Sequence, residues 1–236
     1  MINIRRSNER RHTDRGWLNS HFTFSFADYQ DPASMGFRAL RVMNEDTIAP
    51  GKGFGPHAHR DMEILTYVME GRLLHRDSMG EQHVLGPNEI QMMSAGSGVV
   101  HSEFNASDTE PVHLLQIWIL PEAEDLDPSY QQVAFTPEEK RGRLHLLAAP
   151  ATNGEKPMTI IRQDARVYAG EFCAGQTVKH EIRGDRYAWI QLVKGSVSLN
   201  GQLLSEGDAA AVSAEPQLTL LGLKPAGGEV LLFDLQ

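Results

Sequence analysis

Two short stretches of the chain hold metal-ligand side chains at alternate positions: Pro56-His57-Ala58-His59 and Val100-His101-Ser102-Glu103. On a β-strand, residues i and i+2 point to the same face and lie about 6.5 Å apart along the strand. Two such strands facing each other bring three imidazoles and one carboxylate to a single point. That is a metal site, and it makes the chain a candidate metalloenzyme. Imidazoles with one carboxylate suit Fe(II), Mn(II), Ni(II) or Cu(II). Four protein ligands leave two positions open on an octahedral ion, whereas the same four would close a tetrahedral zinc.

Positioning these pairs falls to strands. Short apolar, β-rich runs separated by glycine and proline turns dominate the first half: Phe37 to Met43, Ile64 to Met69, Ile90 to Met93 and His113 to Leu120. Arg72 to His75 leads into the turn Asp77-Ser78-Met79-Gly80, and Gln82 to Leu85 returns as a hairpin partner. The second half repeats the pattern at Thr159 to Gln163, Arg166 to Phe172, Trp189 to Leu192, Val197 to Leu199, Ala209 to Val212 and Leu218 to Leu223. Asn200-Gly201 between two apolar runs is a two-residue hairpin signal. Strands of this length and spacing predict an all-β sandwich or barrel.

Between the halves the composition changes. Glu122 to Pro128 is acidic, and Thr136-Pro137-Glu138-Glu139-Lys140 reads as a helix start, with Thr136 as N-cap and proline at the first helical position. The expected division is therefore a metal-binding domain over 1–121, a linker with a short helix over 122–143, and a second domain over 144–236.

Composition narrows the function. The chain has 236 residues, enough to bury a core without disulfides or a structural metal. Its one cysteine, Cys173, excludes an intramolecular disulfide and fits a reducing compartment. No apolar run of signal-peptide length follows Met1 to Arg6, and no segment reaches the length of a membrane helix, so the expected location is the cytoplasm. With 22 basic and 31 acidic residues the net charge is −9, which disfavours nucleic acid as a partner. The local basic run of Arg5, Arg6, Arg10, Arg11 and Arg15 reads as a solvated, salt-bridged edge.

A weak internal repeat relates Tyr67 to Leu73 in the first half to Gln191 to Val197 in the second. Superposing the two places Glu181 and Arg183 where His57 and His59 stand, so the second domain reads as a metal-free copy of the first. In the first half, Gly51, His57, His59, Glu63 and Gly71, followed by Gly96, Gly98, His101 and Asn105, resemble the two motifs of the cupin superfamily. Gly96 replaces a common proline, and the Glu63 to Gly71 spacing is one residue longer than the strict pattern.

The detail resembles the pirin family, and its bacterial members in particular. The resemblance rests on Arg15-Gly16-Trp17, Phe22 to Phe26, Pro56 to Glu63, Tyr67 to Gly71, His75 to Gly80, and Met93 to Gly98 running into His101-Ser102-Glu103. It implies an all-β bicupin, two double-stranded β-helix (jelly-roll) barrels packed together, with metal in the N-terminal one. It implies His57, His59, His101 and Glu103 as ligands of one divalent transition metal, with Fe(II) the expected ion and Mn, Ni, Cu, Co or Zn the alternatives. Glu63 would be a ligand in the general cupin pattern; since the pirin pattern gives that place to Glu103, Glu63 is read as orienting a ligand histidine.

The activity implied is that of a quercetin 2,3-dioxygenase: flavonol cleavage with O₂ and release of carbon monoxide, Glu103 acting as base. The same resemblance also admits a non-catalytic metal- or redox-sensing regulator acting through a protein partner. A cupin sugar isomerase is a weaker reading, because Lys52 is the main cation available for a phosphate. His75, His83 and His113 read as surface or packed histidines without ligand partners at i+2, and His21 as similar or cavity-lining. Met43, Met92, Met93 and Trp118 read as core.

Overall fold

The computed structural model describes residues 1–151 and 156–236, and its contacts divide them into two compact units. The first comprises Arg10–Phe135 and Thr159–Gln163; the second comprises Met1–Glu9, Thr136–Met158 and Asp164–Gln236. The fold is all-β, of the bicupin type. No helix among the described residues is long and apolar enough to cross a membrane.

The first unit is a sandwich of two antiparallel sheets. One sheet contains β2 (Arg11–Asp14), β3 (Leu18–Phe22), β4 (Leu40–Ile48), β6 (Glu63–Glu70), β9 (Glu89–Ser94), β11 (Val112–Ile119) and β12 (Ser129–Ala134), in the order β12-β9-β6-β11-β4-β3-β2. The other contains β5 (Gly53–His59), β7 (Leu73–Asp77), β8 (Gln82–Leu85) and β10 (Val99–Asn105), in the order β5-β10-β7-β8. Leu18, Ile48, Val68, Val112 and Leu114 from the larger sheet pack on Leu73, Leu85 and Phe54 from the smaller. Burial of these side chains is the main stabilising term, at roughly 1.5–3 kcal/mol each.

Most sequence expectations correspond to strands, with shifts that have local causes. The predicted strand at Phe37 begins only at Leu40, because Phe37 and Leu40 exchange backbone hydrogen bonds of 2.8 and 3.0 Å around Arg38, whose φ is 56°. The predicted hairpin at Asp77 to Gly80 forms, joining β7 to β8. The stretch expected to link the domains instead contains β12, which pairs with β9 and so belongs to the first unit. Short strand β14 (Thr159–Ile160) lies against it, Gln131 exchanging hydrogen bonds of 3.0 and 2.9 Å with the Ile160 backbone.

The second unit takes its edge strand from the chain's start: β1 (Ile2–Arg5) pairs with β19 (Ala209–Val212). The order continues through β17 (Tyr187–Leu199), β21 (Gly228–Leu235), β15 (Ala165–Phe172) and β13 (Leu144–Ala149). Strands β16 (Thr177–Glu181), β18 (Gln202–Ser205) and β20 (Gln217–Gly222) attach around β17. The runs expected at Trp189 and Val197 are one strand, with a register shift after Leu192 and a left-handed Gly195 at φ 77°. Asn200 and Gly201 both have positive φ, 47° and 85°, as a tight hairpin turn requires. The helix α1 (Pro137–Lys140) is a single turn; Glu139 accepts the Thr136 N–H at 2.7 Å.

Two residues of the arginine-rich start form ion pairs, and one of them is buried rather than solvated. Arg6 binds Asp208 at 2.7 Å, and Arg10 is buried against Glu45 at 2.7 Å.

Candidate metal centre

Strand alternation carries the site. Along β10, Val99, His101, Glu103 and Asn105 are buried, while Val100 and Phe104 are exposed. His101 and Glu103 therefore share the inward face. β5 is the edge strand of its sheet, which is where Pro56 can sit without breaking a ladder. Its register against β10 sets His57 opposite His101 and His59 opposite Val99, then shifts so that Phe54 faces Glu103. The extra residue this puts on β5 is a bulge at Gly55-Pro56, of the kind that re-aims a side chain beside a site. Gly53, next along, crosses so close to Glu103 and Phe104 that a Cβ would strike their backbone.

The imidazoles converge. Donor atoms of His57, His59 and His101 lie within 4.8 Å of one another, and the Nε2 atoms of His57 and His101 are 3.0 Å apart. His57 Nδ1 sits 2.8 Å from the Gly55 carbonyl, so the bulge gives its N–H an acceptor and leaves Nε2 free to ligate. Burial and the neighbouring His57 push His59 down to about 4. Burial, together with His57, His59 and His75, pushes His101 down to about 2. At neutral pH both rings carry a lone pair, the form that binds a metal.

Glu103 belongs to an overlapping group: its carboxylate, His101 and His75 lie within the same 4.8 Å limit. Both of its oxygens accept from Gln116 Nε2, at 3.0 and 2.9 Å, and Thr66 Oγ1 donates to Gln116 Oε1 at 3.0 Å. Burial raises Glu103 to about 7, with Gln116 opposing the shift and the charge of Asp46 adding to it. Glu103, His57 and His59 line one cavity, whose other walls are largely apolar: Phe22, Phe26, Phe54, Leu114 and Trp118 among them. A site with one carboxylate poised near neutrality, in front of an apolar cavity, can take a proton from a bound organic molecule.

Several residues lie elsewhere than their sequence context implies. Trp118, read as core, lines the cavity, its ring 4.8 Å from that of His59 and its Nε1 buried without a hydrogen-bond partner. Glu63 is buried, but Ser94 Oγ and the Arg162 N–H hold it at 2.9 and 3.0 Å; it ties β6 to β9 and to the segment after β14, and no imidazole shares those bonds. His75 is fully buried and does have a partner at i+2, Asp77, at 3.0 Å; its ring lies 5.3 Å from that of His101. The alternation His75-Arg76-Asp77 is the sequence signal for that pair. Gln116 carried no signal, being one polar residue in an apolar strand.

The remaining histidines and methionines match their reading. His83 is exposed and bonded to Glu81 at 2.7 Å, and His113 meets Glu45 at 3.0 Å. His21 stacks on His12, and Met43, Met92 and Met93 are core. In the second unit, Glu181 and Arg183 line a different pocket with His180, Arg186, Asp164 and Asp234. There Arg186 holds both oxygens of Asp164 at 2.9 Å, and His180 meets Asp234 at 3.2 Å. Among the described residues, groups of three metal-donor side chains occur in the first unit and not in this one.

Comparison with known proteins agrees with this geometry. Residues 4–119 match the family described as Pirin, and residues 146–235 match the one described as Quercetinase C-terminal cupin domain. The chain is 45% identical over 235 residues to a protein of Escherichia coli K12 named quercetin 2,3-dioxygenase, covering 100% of this chain and 99% of that one. It is 38% identical over 221 residues to a pirin-like protein of Caulobacter vibrioides, covering 94% of each. The crystal structure of the bacterial pirin YhhW from Escherichia coli in complex with nickel(II) superposes with a TM-score of 0.91 at 45% identity, covering 100% of this chain and 99% of that one. On full-length identity, fold and the placement of its histidine pairs, the chain belongs to the pirin family.

Proposed function

We propose that the chain is a metal-dependent dioxygenase that cleaves flavonols such as quercetin with O₂ and releases carbon monoxide. The observation that carries this reading is the convergence of three imidazoles, one of which, His101, also groups with the buried Glu103 carboxylate, beside an apolar, aromatic cavity. The Escherichia coli relative that is 45% identical is named quercetin 2,3-dioxygenase, which supports the reading. His57, His59, His101 and Glu103 would hold one divalent transition metal, with Fe(II) the first candidate and Mn, Ni, Cu, Co or Zn the others. Nitrogen donors with one carboxylate fit such ions, and the His57–His101 approach of 3.0 Å is crowded unless a cation or a proton lies between the rings. When bound, the ion supplies Lewis acidity and a centre for O₂ chemistry.

The protein's part is binding, orientation and proton transfer. Phe22, Phe26, Phe54 and Trp118 form walls against which a flat aromatic body packs with water excluded. Glu103 accepts the proton of the flavonol 3-hydroxyl, a ligand carboxylate keeping a second oxygen to receive it. Gln116 keeps the carboxylate aimed while the proton moves.

The test compares flavonol turnover in wild type and Glu103→Gln at equal metal occupancy. The variant should be slower by about 10²-fold or more, the usual scale for losing a general base. Full activity in the metal-loaded variant would assign the proton transfer to another group.

A further inference from the structure

One strip of the cavity wall is polar for no reason internal to the fold. Ser20 on β3 pairs directly with Asp46 on β4, and Asn44 lies two residues along β4 on the same face. Asn44 in turn faces Gln116 on β11. All four line the cavity. Ser20 Oγ, Asn44 Oδ1 and Asp46 Oδ1 are buried and have no hydrogen-bond partner. Their residues are between 1% and 5% exposed, so bulk water does not serve them. Buried polar atoms are ordinarily paired, and three neighbouring exceptions in residues that line one cavity call for a partner from within it.

Other buried polar groups of the same unit are mixed: Thr23 Oγ1, Gln91 Oε1 and Trp118 Nε1 also lack a partner, whereas a nearby amide is fully bonded. Asn105, 5% exposed, donates to the Ile48 and Glu110 carbonyls at 3.0 and 2.8 Å and accepts the Ser107 N–H at 2.9 Å. What distinguishes the strip is adjacency: three unpartnered oxygens lie together on paired strands, in residues that line one cavity. Its chemistry is that of acceptors: an amide oxygen, a carboxylate oxygen and a hydroxyl. Set in a cavity whose walls are mainly aromatic and aliphatic, with Arg15 also on its lining, these oxygens complement O–H donors on a flat apolar body. Burial raises Asp46 to about 6, with Ser20 opposing the shift without making a hydrogen bond of ordinary geometry, and Glu45 adding to it.

We infer that Ser20, Asn44 and Asp46 form a recognition site for phenolic hydroxyl groups of the substrate, remote from the hydroxyl that Glu103 deprotonates. These residues select polyhydroxylated aromatic substrates over bare ones. The inference rests on the dioxygenase reading for the identity of the substrate, but not for the existence of the site.

The test is equilibrium binding to the metal-loaded full chain without oxygen, using quercetin and 3-hydroxyflavone, which lacks the ring hydroxyls. A Ser20→Ala/Asn44→Leu double variant should bind quercetin about tenfold more weakly or worse, while 3-hydroxyflavone stays within about twofold of wild type. The unfolding temperature of the same variant is recorded beside the binding, since Ser20 Oγ and Asn44 Oδ1 have no hydrogen-bond partner in the fold and their loss should cost it little. Equal losses for both ligands or no loss for quercetin would overturn the inference. Should the double variant fail to fold, Ser20→Ala alone is read by the same ligand comparison. If wild type binds neither flavonol, the dioxygenase reading falls, and catechol against 1,2-dimethoxybenzene decides the strip. Catechol binding that the variant weakens upholds it; catechol binding that is absent or unaffected overturns it.

Discussion

Glu103 sets a proton count that can be measured. Its carboxyl is raised to about 7 by burial. In the metal-free protein it is then protonated in about nine molecules of ten at pH 6, half at pH 7 and one in ten at pH 8. A carboxylate must be ionised to ligate a metal. Metal binding should therefore release about 0.9 proton from this group at pH 6, about 0.5 at pH 7 and about 0.1 at pH 8. His59 and His101 contribute almost nothing over this range, being held at about 4 and about 2. The perturbation is Glu103→Gln, which keeps the size of the side chain and removes the proton. The assay is calorimetric titration of the stripped protein with a divalent metal, in paired buffers of different ionisation enthalpy at the three pH values. The difference in proton release between wild type and variant should follow the figures above. Between pH 7 and pH 6 the apparent affinity of wild type should fall by about fivefold relative to the variant, approaching tenfold per pH unit below that. A difference near zero at pH 6 would refute the reasoning: Glu103 would then not be a ligand, or would be ionised before the metal arrives.

Further outcomes follow from the same geometry. His57→Ala with His59→Ala should abolish stoichiometric metal binding, and retention of metal by the double variant would sink the ligand assignment. Gln116→Leu leaves both Glu103 oxygens without their donor, and metal affinity should fall by about 10–100-fold in a direct titration. Glu45 is buried, which works against ionisation, yet the His113 hydrogen bond and the Arg10 charge lower it to about 2. A lowered carboxylate stabilises the fold above its unfolded value and loses that stabilisation as pH falls through the folded one. Urea unfolding should show a loss of about 3 kcal/mol between about pH 4.5 and pH 2 that Glu45→Gln lacks. A parallel pH profile in that variant would show that the network contributes nothing.

The legible part of this protein was local. His57 with His59, and His101 with Glu103, are visible because alternation along a strand is written directly in the sequence. The turns at Asp77 to Gly80 and Asn200-Gly201 are visible for the same reason: two to four residues determine them. What was not legible depends on which strands meet. β1 completes the second unit by pairing with β19 from the far end of the chain, and no pattern within Ile2 to Arg5 announces it. The cavity wall is assembled from β3, β4 and β11, so Ser20, Asn44, Asp46 and Gln116 converge only through register. Trp118 looked like core because an aromatic residue in an apolar strand usually is, and only the position of β11 beside the imidazoles makes it a wall of the site. β5 itself was legible from its histidine pair, but the bulge at Gly55-Pro56 was not, because it depends on the register against β10.

The most direct test of the central claim is carbon monoxide, measured together with O₂ and flavonol consumption, in wild-type protein of known metal content. The account predicts carbon monoxide released in step with both consumptions when the site is loaded, and none after the metal is stripped. Fully loaded protein that releases no carbon monoxide from any flavonol would contradict it.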